Sequence, residues 1–115
     1  MKVNFKSWFA SLPQVSGMLA CGVIRPNGRC LAHGSGKNLS DEKIEQLMRR
    51  FADLHEPLAG TGLSPRWSTW AFEYGHLRFV PHPDNWLLLL VATPETESSQ
   101  KLDQLAEEFL GQPLK

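Results

Sequence analysis

Two stretches of the sequence are apolar on both of their alternating faces, and they constrain the fold more than any other feature. Residues 18–25 read MLACGVIR and residues 86–93 read WLLLLVAT. A strand that presents apolar side chains on both faces is covered on both faces in a folded protein. The two stretches therefore predict the two central strands of a sheet that has helices on each side.

Three apolar stripes at helical spacing supply the layers that would cover such a sheet. The first stripe, in residues 4–12, consists of Phe5, Trp8, Phe9 and Leu12. The second consists of Ile44, Leu47, Met48, Phe51 and Leu54, and the third of Leu102, Leu105, Ala106, Phe109 and Leu110. We expect the two terminal helices to cover one face of the sheet and the middle helix to cover the other.

The helix boundaries are marked by capping and breaking residues. Ser40 fits the N-cap of the middle helix, with acidic residues in the first turn, and Pro57 predicts that this helix ends near Glu56. Ser98 or Ser99 fits the N-cap of the last helix. Asp41 and Glu42 are therefore interpreted as complements of a helix dipole and not as a catalytic pair.

Turn signals between the strands set their order. A Pro-Asn-Gly turn at residues 26–28 joins the strand at 18–25 to one at 29–33, and shorter turns join strands at 67–74, 76–80 and 86–93. Strands joined by tight turns are neighbours, and the two apolar strands are central. The sequence thus predicts an α+β class, with one antiparallel five-stranded sheet of order 2-1-5-4-3. We expect residues 1–115 to form a single domain, with the elements in the order α-ββ-α-βββ-α.

The charge balance excludes two classes of partner. The chain has 115 residues, with 12 Lys and Arg against 12 Asp and Glu. Such a balance argues against a nucleic-acid binder and against a polybasic membrane anchor. The longest run without a polar residue, 86–92, is far shorter than the roughly 20 residues that span a bilayer. No apolar leader follows Met1, so we expect a cytoplasmic protein without membrane insertion.

The cysteines and the glycine-rich segment of this sequence do not match the patterns of known catalytic, nucleotide or metal sites. Cys21 and Cys30 lie on the two arms of the first hairpin. A two-residue loop would separate them by about 13 Å along the sheet, and a three-residue loop would put them on opposite faces. Either register excludes a disulfide. The segment HGSGK at 33–37 lacks the first glycine and the final Ser or Thr of a P-loop. We therefore expect no catalytic residue, no cofactor and no metal.

The four histidines and the serines support the same expectation. The sequence has four histidines, His33, His55, His76 and His82. His76 and His82 flank a short strand and could share a face, but neither has a nearby cysteine, and a zinc site needs three or four converging ligands. No Gly-x-Ser-x-Gly elbow occurs in the sequence. We interpret the histidines as turn and surface residues, and the chain as a protein that is not an enzyme.

Aromatic residues crowd the strand that the order 2-1-5-4-3 places at one edge of the sheet. The predicted strand alternates Trp70, Phe72 and Tyr74 with Thr69, Ala71 and Glu73, and it begins at Trp67. Edge strands normally carry charge or proline, which prevent pairing with another chain, whereas aromatic residues are enriched at interfaces. These seven residues are our candidates for a dimer interface, although the aromatics could also pack under a helix of the same chain.

Three short segments and the order of the elements resemble the Roadblock/dynein light chain 7 family, which shares its architecture with longin-like and profilin-like domains. Residues 12–19, LPQVSGML, are similar to the family's opening helix and the Pro-Gly-Val-x-Gly-like turn that follows it. In this sequence Gln14 replaces the usual glycine of that turn. Residues 25–32, RPNGRCLA, are similar to its first hairpin, and residues 86–92, WLLLLVA, to its fifth strand.

The resemblance implies a non-catalytic homodimer that binds or regulates a small Ras-like GTPase, or that serves as a light chain or scaffold. Family members commonly join along this edge strand, with their middle helices side by side. The resemblance therefore adds Arg49, Arg50 and Asp53 of the middle helix to the interface candidates. Their face of the helix is strongly polar, so contacts between the helices would be weak ion pairs and the strand would supply most of the binding.

A second hypothesis comes from a different functional class. A monomeric, profilin-like sensor would hold a small apolar molecule between the sheet and one helix. A hollow lined by Trp70, Phe72 and Phe79 would favour this sensor, and a paired edge strand would favour the interaction module. The sequence alone leaves both hypotheses open.

Overall fold

The structure, a computed structural model, describes residues 5–34, 40–60, 67–73, 75–82 and 84–112. Its helices are α1 (Phe5–Ser11), α2 (Asp41–Gly60) and α3 (Thr96–Leu110), and a 3-10 turn (Leu12–Gln14) follows α1. Its strands are β1 (Met18–Ile24), β2 (Cys30–Gly34), β3 (Ser68–Phe72), β4 (Gly75–Pro81) and β5 (Leu87–Ala92). The predicted order of helices and strands is confirmed.

The five strands form one antiparallel sheet in the order β2-β1-β5-β4-β3. The two apolar stretches are β1 and β5, which pair at the centre from Met18 opposite Ala92 to Ile24 opposite Leu87. Their position follows from burial, since a strand that is apolar on both faces loses the most by lying at an edge. The predicted fold class and strand order are confirmed.

Two separate cores lie on the two faces of the sheet. One packs α1 and α3 against the sheet, and its residues include Trp8, Leu12, Cys21, Val23, Leu88, Leu90, Leu102, Ala106 and Phe109. The other packs α2 against the sheet, and its residues include Ala20, Ile24, Ile44, Met48, Leu77, Phe79, Leu89 and Val91. The terminal helices thus cover one face and the middle helix the other, as the apolar stripes predict.

The hairpin between β1 and β2 has a three-residue loop, which decides between the two registers that the sequence allowed. The backbone N–H of Arg25 donates to the carbonyl of Arg29 at 2.8 Å. Gly28, the last loop residue, has a φ of 85°, in the left-handed region that favours glycine. Cys21 and Cys30 consequently lie in the cores on opposite faces of the sheet, and both are free thiols.

Two helix boundaries differ from the sequence prediction. α2 continues through Pro57 to Gly60, so the proline does not end the helix, although it lacks the N–H that would donate to the preceding turn. α3 begins at Thr96 behind Glu95, so Ser98 and Ser99 lie inside the helix and are not its N-cap. None of the helices in the described ranges combines the length and the apolarity needed to cross a bilayer.

Candidate interaction surface at the β3 edge

β3 lies at one end of the sheet and is the most exposed of the five strands. Only its first residue, Ser68, is partly buried, and the other four are exposed. Trp70 keeps 49% of its surface accessible and Phe72 keeps 44%. Exposed apolar surface on an edge strand does not stabilise an isolated domain, and it is typical of a site that contacts another molecule.

The pairing of β3 with β4 fixes which face of the sheet each side chain occupies. Trp70 is opposite Leu77, and Leu77 belongs to the core under α2. Phe72 follows Trp70 by two residues, so both aromatics lie on the face that carries α2. However, α2 packs on β1 and β2, at the far side of that face, which explains why the two aromatics stay exposed.

The backbone of β3 presents hydrogen-bonding groups along its outer edge. Phe72 pairs with Gly75 across a two-residue hairpin, and the pair that closes such a hairpin is hydrogen-bonded. Hydrogen-bonded and non-hydrogen-bonded pairs alternate along an antiparallel ladder. Thr69 and Ala71 therefore direct their N–H and C=O groups away from β4, and these groups are available to a further strand.

The opposite edge of the sheet, β2, is engaged by side chains of α2. The backbone N–H of Gly34, at the end of β2, donates to the carboxylate of Asp41 at 2.6 Å. In the loop that precedes β2, the carbonyl of Gly28 accepts a bond of 3.4 Å from Arg49. The Arg49 guanidinium also binds Glu45 at 3.0 Å. The two edges thus differ, because α2 engages the last residue of β2 and the loop that precedes this strand.

The structure brings together only some of the predicted interface residues. Trp67 is half-buried and packs against the core under α1 and α3. Arg49 points toward the β1–β2 loop, on the side of α2 away from β3. Arg50 and Asp53 are exposed on α2, and Glu73 is exposed just after β3.

Tyr74, also predicted at the interface, lies outside the described residues. The predicted residues that share the outer edge are therefore Thr69, Trp70, Ala71 and Phe72.

A buried arginine next to this edge escaped the sequence analysis. Arg78 is opposite Thr69 and only 3% exposed. Its Nε donates to Asp103 at 2.9 Å and its Nη2 donates to Ser99 at 2.7 Å, which ties β4 to α3. The only signal in the sequence is a charge between two apolar residues of β4, so Arg78 is a structural residue that supports the strand beneath the edge.

Two of the titratable residues considered in the sequence analysis, His82 and Cys21, are buried. His82, which we expected at the surface, is buried: its Nε2 bonds the carbonyl of Gln112 at 2.7 Å and its Nδ1 accepts the N–H of Asp84 at 3.0 Å. Burial, reinforced by Asp41, raises the pKa of Cys21 to about 12, so this thiol stays protonated. Within the described ranges, no three His, Cys, Asp or Glu residues are grouped so that they could hold a metal ion.

The three aromatics that would line a sensor's hollow differ in burial. Phe79 is 3% exposed and belongs to the core, whereas Trp70 and Phe72 are exposed. Three grooves lined by described residues lie away from these aromatics: one beside the start of α3, one between the β1–β2 loop and α2, and one next to the start of β1. The aromatics of β3 therefore face outward from the domain.

Comparison with models of known protein families finds none that matches this chain, and comparison with curated proteins finds no matching sequence.

Proposed function

We propose that this chain is a non-catalytic interaction module of Roadblock-like fold that forms a homodimer through β3. The observation that carries the proposal is the combination of exposed Trp70 and Phe72 with the outward backbone groups of Thr69 and Ala71. Pairing of two β3 strands would satisfy those groups and bury both aromatics. Two five-stranded sheets would become one sheet of ten strands.

The contrast between the two edges of the sheet supports β3 over β2 as the joining strand. β2 also carries an exposed apolar residue, Leu31, with 45% of its surface accessible. However, the N–H of Gly34 is already bonded to Asp41, and Arg49 reaches the loop that leads into β2. An approaching strand would have to displace these contacts at β2, whereas at β3 it would add hydrogen bonds.

The resemblance to the Roadblock family supports the same choice and extends it to other partners. Members of that family join along the strand that corresponds to β3, and they bind small Ras-like GTPases or larger scaffolds. On this basis the homodimer would present a composite surface to a small GTPase or a scaffold protein in the cytoplasm. Isothermal titration calorimetry of the homodimer with a purified small Ras-like GTPase, in its GTP-bound and GDP-bound states, would test that second step.

The homodimer is tested by light scattering on three proteins at micromolar concentration. The native chain is expected to show a mass near twice 12.9 kDa. Thr69→Pro together with Ala71→Lys removes one outward N–H per chain and places like charges near the axis, so this variant is expected to be a folded monomer. Far-ultraviolet circular dichroism checks that it is folded.

The control is Leu31→Lys, which introduces the same charge at a comparably exposed apolar residue on the opposite edge. This variant should remain a dimer. A native monomer would contradict the proposal and favour the monomeric sensor. A dimer that tolerates both changes in β3 would contradict the proposed interface. Loss of the dimer in Leu31→Lys alone would place the interface at β2.

A further inference from the structure

The outer edge of β3 is symmetric about its middle residue. Two residues of the strand Ser68–Phe72 lie on each side of Trp70, and the two with outward backbone groups flank it directly. We infer, on the basis of the proposed homodimer, that two copies pair about a two-fold axis at Trp70. Each Trp70 then lies opposite the partner's Trp70, and this residue sets the register of the interface.

Hydrogen bonding favours this register. With the axis at Trp70, Thr69 lies opposite the partner's Ala71, and Ala71 lies opposite the partner's Thr69. Both are hydrogen-bonded pairs, in which two residues exchange both of their bonds. Every outward backbone group of the strand then finds an acceptor or a donor in the partner.

The two neighbouring registers use less of the strand. An axis at Thr69 pairs only residues 68–70 with strand residues of the partner, and it places Ala71 opposite the partner's Trp67, which precedes β3. An axis at Ala71 pairs only residues 70–72, and it places Thr69 opposite the partner's Glu73 in the turn. The axis at Trp70 pairs all five residues of β3.

Side-chain contacts favour the same axis. In this register the two Trp70 residues form a non-hydrogen-bonded pair, in which Cα atoms are about 4.5 Å apart and side chains are closest. The partner's Phe72 is the diagonal neighbour of Trp70, within reach of an aromatic ring. Residues 68–72 carry no charge, so no like charges oppose each other across the axis. The contact covers the two aromatics that the single chain exposes.

Cysteine pairing distinguishes the three registers without altering Trp70. Thr69→Cys and Ala71→Cys are made separately in a Cys30→Ser background, which removes the partly exposed thiol and leaves the fully buried Cys21. The two proteins are mixed under reducing conditions and then oxidised with diamide. In the inferred register the Cα atoms of the two positions are about 5.5 Å apart across the axis, a separation that a disulfide bridges readily.

The expected result is cross-linked dimer in the mixture and only traces in either protein alone or in the background protein. Self-cross-linking of Thr69→Cys or of Ala71→Cys would place the axis at that residue, which overturns the register while the homodimer stands. If light scattering shows a dimer but none of the samples cross-links, the interface lies away from β3. That result would contradict both the register at Trp70 and the proposed pairing of β3 strands. A monomer throughout would overturn the homodimer, and the register with it.

Discussion

The carboxylate of Asp41 accepts a hydrogen bond of 2.6 Å from the backbone N–H of Gly34, and this bond joins the first turn of α2 to the last residue of β2. Asp41 also lies where a negative charge complements the dipole of α2. The Asp41 side chain thus stabilises the helix and also accepts a hydrogen bond from the edge strand β2. The sequence predicted the first role but not the second.

Replacing Asp41 should separate these two roles. We expect Asp41→Asn to lower the free energy of unfolding by about 1 kcal/mol, because it weakens the charge-assisted bond to Gly34 as well as the dipole interaction. Glu42→Gln is the matched control, since it removes a charge from the same helical turn. Urea denaturation should show a smaller loss for Glu42→Gln, and equal losses would mean that the bond to Gly34 contributes nothing.

Leu89 tests the central position of β5. Its side chain is fully buried under α2, and Leu89→Ala should cost about 2–5 kcal/mol through lost transfer energy and the cavity left behind. Leu87 is on the same strand and the same face but is only half-buried. Leu87→Ala should therefore cost clearly less in the same denaturation experiment. A loss below about 0.5 kcal/mol for Leu89→Ala would fall outside the range for a buried leucine.

Gly22 sets how closely α2 approaches β1. A Cβ atom added there would overlap Sδ of Met48 and would lie 2.7 Å from its Cε. Gly22→Ala should therefore destabilise the protein by about 1–3 kcal/mol, the usual effect of overpacking a core. Combined with Met48→Ala, the loss should be smaller than the sum of the two single losses. Additive losses would mean that the two residues do not meet.

Cys30 should be a slow nucleophile at neutral pH. Its partial burial, together with the nearby Glu45 carboxylate, raises its pKa to about 11, while Arg49 opposes the rise. Because only the thiolate reacts, alkylation by iodoacetamide should keep accelerating up to about pH 11, well beyond the ordinary value of 9.0. Glu45→Gln should lower this pKa and speed alkylation at pH 8, and Arg49→Gln should slow it. Peptide mass spectrometry follows Cys30 separately, and a rate that levels off near pH 9 would contradict the assignment.

The strand order was predictable because burial and the tight turns together determine it. The residues of β1 and β5 are apolar on both faces, so only the central positions suit them, and tight turns then fix their neighbours. The hairpin register was not predictable, since the Pro-Asn-Gly turn fits a two-residue or a three-residue loop. The bond between Arg25 and Arg29 decides it.

The candidate surface was predictable as a strand but not residue by residue. Alternation placed Trp70 and Phe72 on one face correctly, because side chains in a strand have a period of two. It could not show that Trp67 turns into the core or that Arg49 binds Gly28, because both contacts join residues far apart in the sequence. The burial of Arg78 escaped prediction for the same reason, since its partners Asp103 and Ser99 lie on α3.

The central claim, that β3 pairs with β3 of a second copy, is tested most directly by amide hydrogen exchange at Thr69 and Ala71. Their outward N–H groups are unprotected in a single chain and bonded in the proposed dimer. The internal control is Ala32, whose N–H should point outward from β2, since Gly34 two residues later directs its own N–H to Asp41 and away from β1.

Exchange is followed by NMR after transfer into heavy water, at a concentration where light scattering shows the dimer. The account predicts slow exchange at Thr69 and Ala71 and fast exchange at Ala32. Exchange at Thr69 and Ala71 that is as fast as at Ala32 would contradict it.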